Sequence, residues 1–389
     1  MNRYLSHLLT LCCSIVAICS CKPADSSQIG IINIPDALNS IGLVNLSEVA
    51  KSIKYIPLET IEESLIGEII NILYDKDHIY VTDISGAIKI FDDEGRYLRS
   101  IKRLGRGPEE YSTFISASLV DKNIAVTGRD IVEYDILGNF IRRVGIPEVP
   151  EYRAFTPLAL GENSYIALLV SLSTKQEYCA VIYDSLLNIR KMVAAPNPSG
   201  AIAIPGDASG AVFLQPAKLF RHNGETRIFC PESTEILSID KFDAIDTAFV
   251  IDYGQYRVPD GITINSSASS KHVSPLSFLE SEDYLFMNMS TRATINGTYT
   301  ANFLYNKRTM QTRVLYDNIG QKRGFKDDLG GGPEFWPRST SNDKLLISSA
   351  SAILIMEHPF GNAASAEIKQ IVAELTESSN PVITIVELK

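Results

Sequence analysis

The sequence is short of the residues that most often carry chemistry. Four of its six cysteines (Cys12, Cys13, Cys19 and Cys21) fall at the N-terminal end, leaving Cys179 and Cys230. Each of those two stands alone in an apolar run, "EYCAVIYD" or "RIFCPES". Two isolated cysteines make neither a disulfide framework nor a zinc site. They read as buried free thiols, with a single bridge as the other option. Past the first twenty residues the histidines are His78, His222, His272 and His358, and no two lie within four residues of each other. Local metal-ligand spacing is therefore absent. There is no Gly-x-Ser-x-Gly elbow and no Walker Lys-Ser/Thr; a Ser-His-Asp set assembled from distant loops stays open. No basic block stands out, and the net charge is −10, which argues against nucleic acid as a partner.

What is present begins with a leader. "MNRYLSH" carries Arg3, and the apolar stretch "LLTLCCSIVAI" has the length of a signal peptide, too short to span a bilayer well. Ile18-Cys19-Ser20-Cys21 resembles a bacterial lipobox. That resemblance implies cleavage after residue 20 and lipidation of Cys21, with residues 21–45 as a tether that includes a possible first strand. The alternative is an ordinary secretory signal.

A repeat then runs along the chain. "FDDEGRYLR" at 91–99 and "YDILGNFIR" at 134–142 match at a spacing of 43 residues, with weaker copies "YDSLLNIRK" at 183–191 and "YNKRTMQTR" at 305–313. Asp and Gly at those positions suit a tight hairpin, because Asp bonds its own backbone and Gly tolerates positive φ. The flanks are short, β-branched and partly alternating. Four such strands per repeat of roughly 40–50 residues make a β-propeller blade. The length predicts six blades, near 66–111, 112–150, 151–200, 201–262, 270–320 and 325–360. The fourth, with strands "AVFLQPA", "TRIFCPES", "EILSIDK" and "AFVIDYG", lacks the aromatic-Asp hairpin. The fold class is all-β: a six-bladed β-propeller over 46–389 with a C-terminal helix and a closing strand. The helix is expected over 363–376, from Ile368, Ile371, Val372 and Leu375 at helical spacing, capped by Asn362. "VITIVELK" is expected to close the ring against "IGIINIP" or "SIKYIPLE".

Two stretches, "GRGPEEY" at 105–111 and "GGGPEFW" at 330–336, share the pattern Gly-x-Gly-Pro-Glu-x-aromatic. The first resembles a phosphate loop only superficially. A dinucleotide fingerprint needs a third Gly and a following helix; here Pro108 follows and strands lie downstream. No nucleotide is expected. The glycines are read as permitting a sharp crossover between blades, with Pro108 and Pro333 stiffening it.

With "YIPLET" and the ending "SSNPVITIVELK", these stretches resemble the six-bladed β-propeller lipoproteins of gut Bacteroidetes, over about 46 to 389. The resemblance implies a propeller, export and a lipid anchor, on the outer membrane of the cell envelope. It implies no settled activity, since most members are of unknown function.

Candidate site residues come from the two matched loops. Trp336 is the only Trp and stands beside Glu334 and Arg338; Tyr111 holds the same place beside Glu109 and Glu110, with Arg106 upstream. Aromatic faces with flanking charges suit sugar or peptide recognition. The competing reading is that Tyr111 and Trp336 wedge between blades as packing. Glu109 and Asp328 are candidates to face the central channel. The expected function is a non-catalytic envelope module binding a glycan, a peptide or a partner envelope protein, with no cofactor. The alternative is a hydrolase, lactonase or lyase, which needs several acids and amides converging on a channel Ca²⁺.

Overall fold

The computed structural model describes residues 29–172, 178–194, 218–229, 233–257, 272–294, 297–315, 324–362 and 364–389. Their strands form six sheets, each with four strands in antiparallel order. Blade 1 is built from Ile69–Tyr74, His78–Asp83, Ile88–Asp92 and Tyr97–Ile101. Blade 2 uses Ser116–Val120, Asn123–Thr127, Ile131–Tyr134 and Phe140–Val144. Blade 3 spans Tyr152–Gly161 to Ile189–Ala194, blade 4 Lys218–His222 to Ile245–Asp252, and blade 5 Val273–Glu280 to Gln311–Leu315.

The ring closes in blade 6. Its inner strands are Ser339–Ser341 and Leu345–Ala350, its third is Val382–Leu388, and its outermost is Ala50–Pro57 from the other end of the chain. "SIKYIPLE" is thus the closing partner of "VITIVELK". "IGIINIP" pairs elsewhere. Within it, Gly30–Asn33 adds a fifth, parallel strand outside blade 4, and further on Ile41–Gly42 does the same for blade 5. The N-terminal segment therefore runs along the outer edges of three blades, covering strand edges that would otherwise be open.

The third-to-fourth hairpins follow one design. Asp92, Asp135, Asp184 and Asp240 each accept backbone N–H groups two and four residues ahead on Oδ1. The next-but-two position needs a left-handed backbone. Gly95 (φ 85) and Gly138 (φ 86) supply it in blades 1 and 2, while Leu187 (φ 66) and Asp243 (φ 61) adopt it without glycine in blades 3 and 4. Blade 4 therefore has the hairpin that its sequence hides, because Ile239 stands where the other copies have an aromatic residue.

Alternation along the strands then feeds two interfaces from each sheet. Ile79 and Val81 pack toward blade 6, in a cluster with Ile347 and Ile383. Tyr80 points the other way, into the cluster shared with Ile124, Val126 and Tyr134 of blade 2. Comparable apolar clusters fill the other four interfaces.

The described inner strand of blade 4 is Lys218–His222; "AVFLQPA" lies outside the described residues. Two expectations are corrected. Blade 6 is not confined to 325–360: residues 351–381 are an insertion between its second and third strands. The C-terminal helix within that insertion is Ala366–Glu374, and Ser365 rather than Asn362 caps it by accepting the Ile368 N–H. Ser365 sits where its side chain meets the free N–H groups of the first turn. The helix packs Ile368 and Ile371 on Tyr55 and Val382. Cys179 is a buried free thiol, raised to about 11 by burial; Cys230 lies outside the described residues.

Candidate functional site

An antiparallel four-stranded blade sorts its connections onto two faces. The crossovers from each fourth strand to the next first strand, and the second-to-third hairpins, emerge on one face, here called upper. The other two hairpin types emerge on the lower face. Both Gly-x-Gly-Pro-Glu loops are crossovers of the first kind, from blade 1 to 2 and from blade 5 to 6, so both belong to the upper side.

The first crossover is pinned through its backbone. The Gly105 N–H donates to the Tyr111 carbonyl and the Tyr111 N–H to the Arg103 carbonyl. Gly107 N–H donates to Glu110 Oε2 at 2.8 Å. From blade 2, the Arg143 guanidinium donates to the carbonyls of Gly107, Pro108 and Glu110, and the Tyr134 hydroxyl to that of Glu109 at 2.6 Å. Tyr111 itself is buried, stands edge-on to Phe114 and Tyr134, and donates its hydroxyl to the Gly86 carbonyl. Burial raises its pKa. It has no face left for a ligand; it wedges blade 1 against blade 2. The loop leaves Pro108 and the charged side chains of Arg106 and Glu109 exposed, Glu109 standing 3.7 Å from Arg103 Nη1.

The second crossover is built into the interior. Asp327 is buried and accepts N–H groups from Leu329, Gly330 and Gly332, the last at 2.7 Å, together with the Tyr55 hydroxyl. Gly330 gives its carbonyl to the Ser365 N–H at the head of the helix. Trp336 is half-buried, stacked on Phe325 at 5.9 Å and edge-on to Phe286 at 5.7 Å; it too packs between blades. Glu334 is exposed. Arg338 lends Nη2 to the Ile69 carbonyl at 2.8 Å, tying blade 6 to blade 1.

Neither Gly107 nor Gly332 has positive φ; within this pair of loops only Gly331 does, at 78°. Gly332 is required by close approach: a Cβ there would meet Tyr55 Oη at 2.7 Å and Ile368 Cδ1 at 2.8 Å, whereas one at Gly107 would meet only the Glu110 side chain, at 3.1 Å. The placement of Asp328 is corrected. Its carboxylate accepts the Ser47 N–H at 2.9 Å and the Ser47 hydroxyl, so it faces the outer N-terminal segment rather than the channel. Burial alone would raise its pKa; the Ser47 hydrogen bonds bring it below the usual value.

Around the first crossover the structure adds residues that the sequence did not single out. Leu104 lies over the upper hairpin of blade 1, 3.6 Å from where a Gly86 Cβ would stand, and Phe114 approaches the same point. Ile84 (67% exposed), Leu104 (50%) and Ile115 (50%) are large apolar side chains open to solvent at this corner. Their signal in the sequence was an apolar residue inside a turn, Ile84 in "DISGA" and Leu104 in "RLGRG". The hairpin beneath them is stiff. Asp83 is buried and accepts the Gly67 N–H at 2.9 Å and the Lys89 ammonium at 2.8 Å. Burial would raise its carboxyl, but these donors and Ser85 hold it down to about 2.

The lower channel mouth holds a polar cleft of about 340 Å³ lined by His222, Asn223, Glu282, Asn342, Asp343 and Lys344. It contains the acids and amides that a channel cation needs, yet each acid already has a protein side chain beside it. His222 Nδ1 is 3.1 Å from Asp343, and Lys344 is 3.0 Å from Glu282. Deeper in, Glu280 is bonded by Arg227 at 2.9 Å and Lys307 at 2.7 Å. Burial lowers the His222 pKa. Among the described residues no group of three or more His, Cys, Asp or Glu has the arrangement to hold a metal.

Comparison with known proteins agrees with this architecture. The model of the family described as "Domain of unknown function (DUF4934)" matches residues 29–387. A Bacteroides fragilis protein, described as exported, superposes with a TM-score of 0.66 at 17% identity, over 93% of this chain and 100% of its own. BamB from Moraxella catarrhalis reaches a TM-score of 0.36 at 11% identity, over 89% and 96%, a likeness too loose to carry an argument. No curated protein matches the chain.

Proposed function

The chain belongs to the DUF4934 family, and from that premise we propose that it is an exported, lipid-anchored module of the cell envelope that binds a partner protein through the upper corner formed by blades 1 and 2. Export is supported by the leader-like first twenty residues and by the likeness to an exported Bacteroides fragilis protein. The lipid anchor rests on Ile18-Cys19-Ser20-Cys21, and attachment to the outer membrane on the resemblance that this motif shares.

The observation that carries the reading is the corner itself. Ile84, Leu104 and Ile115 are exposed around Arg106 and Glu109 on a loop pinned by backbone bonds and by Glu110, Tyr134 and Arg143. A rigid apolar patch edged by charges is the composition of a protein-binding surface. A glycan reading loses its support here, because it needed open aromatic faces and both Tyr111 and Trp336 pack between blades. A pre-ordered loop also loses little entropy on binding.

The test is site-specific photo-crosslinking in intact cells. A photoreactive residue at position 84 or 104 is expected to give one discrete protein adduct that Arg106→Glu weakens. A control at Ile141, on the outer strand of blade 2, should give none. Absence of an adduct at both upper positions, or the same adduct from Ile141, would refute the assignment.

A further inference from the structure

The lower face carries a feature that the hairpin repeat does not require. In every third-to-fourth hairpin from blade 1 to blade 5, the residue two after the Asp or Asn gives its N–H to that side chain and sits at the tip. In blades 1 and 5 that residue is charged, Glu94 and Arg308. In blades 2, 3 and 4 it is large and apolar: Leu137, Leu186 and Phe242, exposed at 61%, 79% and 78%. The turn does not need an apolar side chain there, since its bonds are to backbone. Three adjacent blades thus present three apolar tips along one arc of the lower rim.

The N-terminal segment arrives at the same arc. Gly30–Asn33 runs parallel to Ile245–Asp252, with Gly30 opposite Phe249. That strand rises from the lower hairpin of blade 4 to the upper face, so the chain enters from below. Ile29 agrees: it lines a cleft of about 410 Å³ with Asp240, Ala244, Ile245 and Asp246, at the foot of blade 4. Phe242 is the tip of that hairpin. Cys21 precedes Gly30 by nine residues, a reach of at most about 30 Å. The distance from Phe249 down to the start of its strand is four residues, or roughly 13 Å. A lipid on Cys21 therefore has its shortest route to the lower rim of blade 4.

We infer that the lower rim of blades 2 to 4 rests on the lipid surface, with Leu137, Leu186 and Phe242 inserted at the headgroup–acyl boundary as a second attachment beside the lipid on Cys21. The inference rests on the lipid-anchor reading of Cys21. It adds an orientation: the ring stands on its lower rim and turns the corner of Ile84, Leu104 and Arg106 away from the bilayer. The lipid on Cys21 holds the chain at the membrane but leaves the ring free to tumble on its tether, and a few apolar side chains inserted at the interface would fix which rim faces the lipid. Lys241, beside Phe242 and over its ring at 5.0 Å, is positioned for lipid phosphates.

The test uses the lipidated full chain reconstituted in phosphatidylcholine vesicles whose acyl chains carry bromine, a short-range quencher of indole fluorescence. Trp336→Phe supplies a background without native indole. Leu186→Trp and Phe242→Trp each place one reporter on the lower rim, and Leu172→Trp places one on the upper side of blade 3. The emission of the two lower reporters is expected to fall roughly twofold, as for groups 5–10 Å into the boundary, while that of Leu172→Trp is unchanged. Vesicle-bound protein with no quenching at 186 or 242, or with quenching at 172 instead, overturns the orientation and leaves the anchor standing. Protein with Cys21 intact that does not float with the vesicles overturns the anchor and the inference together. The two lower reporters are independent, so one misfolded variant does not decide the outcome.

Discussion

The crossover at 105–111 and the crossover at 330–336 share five of seven pattern positions and differ in almost everything that the pattern does not state. In both, the glycine at the third position of the pattern gives its N–H to a carboxylate. In the first that carboxylate is Glu110, inside the loop and near solvent. In the second Phe335 stands at the matching position, and Asp327 supplies the carboxylate from upstream, buried, with three N–H groups and the Tyr55 hydroxyl to hold. The aromatic residue wedges between blades in both, as a buried Tyr and a half-buried Trp. The second loop is covered by the helix Ala366–Glu374; the first is open and carries Arg106, Glu109 and the apolar corner. A repeated sequence thus marks a repeated backbone need, and the side chains that meet it decide whether the loop is interior or working surface.

The largest expected effect breaks the second loop alone. Asp327→Ala strands three N–H groups and a hydroxyl in a buried place, and should cost about 3–5 kcal/mol in urea unfolding. Glycine substitutions come next and should separate the loops. Gly332→Ala pushes a Cβ into Tyr55 and Ile368 and should cost about 1–3 kcal/mol. Gly107→Ala meets only the flexible end of Glu110, at 3.1 Å, and should cost about 0.5 kcal/mol or less. Equal losses for the two would remove the distinction. Glu110→Ala should cost about 1 kcal/mol, with the upper-corner crosslink preserved if Arg143 still holds the loop.

The smallest effect sharpens the comparison by pH. Asp83, beneath the first crossover, has its folded pKa lowered to about 2 from 3.8. A carboxyl depressed on folding stabilises the protein above its unfolded pKa and loses that contribution as pH falls. Stability should therefore drop as pH goes from 3.8 toward about 2. Asp83→Asn should flatten that part of the profile; an unchanged slope would show that Asp83 does not govern it.

The ring was legible in the sequence because its units are local. The Asp hairpins at 92, 135 and 184 show in the chain as short fixed spacings, and the β-branched runs beside them give the strands. Blade 4 blurred because Ile239 and Asp243 replace the aromatic and the glycine while Asp240 keeps the turn. Non-local arrangements left no such trace. Nothing near Gly30 indicates a parallel pairing with Phe249, and nothing near Gly330 indicates a helix folded over it. The site was legible only as a loop: Arg106 and Glu109 are exposed there, but Tyr111, Trp336 and Asp328 had partners that only the folded chain reveals. Leu104 directly precedes the first loop, yet a lone apolar residue in a turn has no meaning until its exposure is known.

Native-state hydrogen exchange of two backbone amides tests the comparison most directly. Gly332 N–H, bonded to buried Asp327, should exchange only with global unfolding of the ring, while Gly107 N–H, bonded to Glu110 at the surface, should exchange through local opening at least about tenfold faster. Equal protection, or a Gly107 amide slower than Gly332, would contradict the account of one loop as interior structure and the other as the working surface.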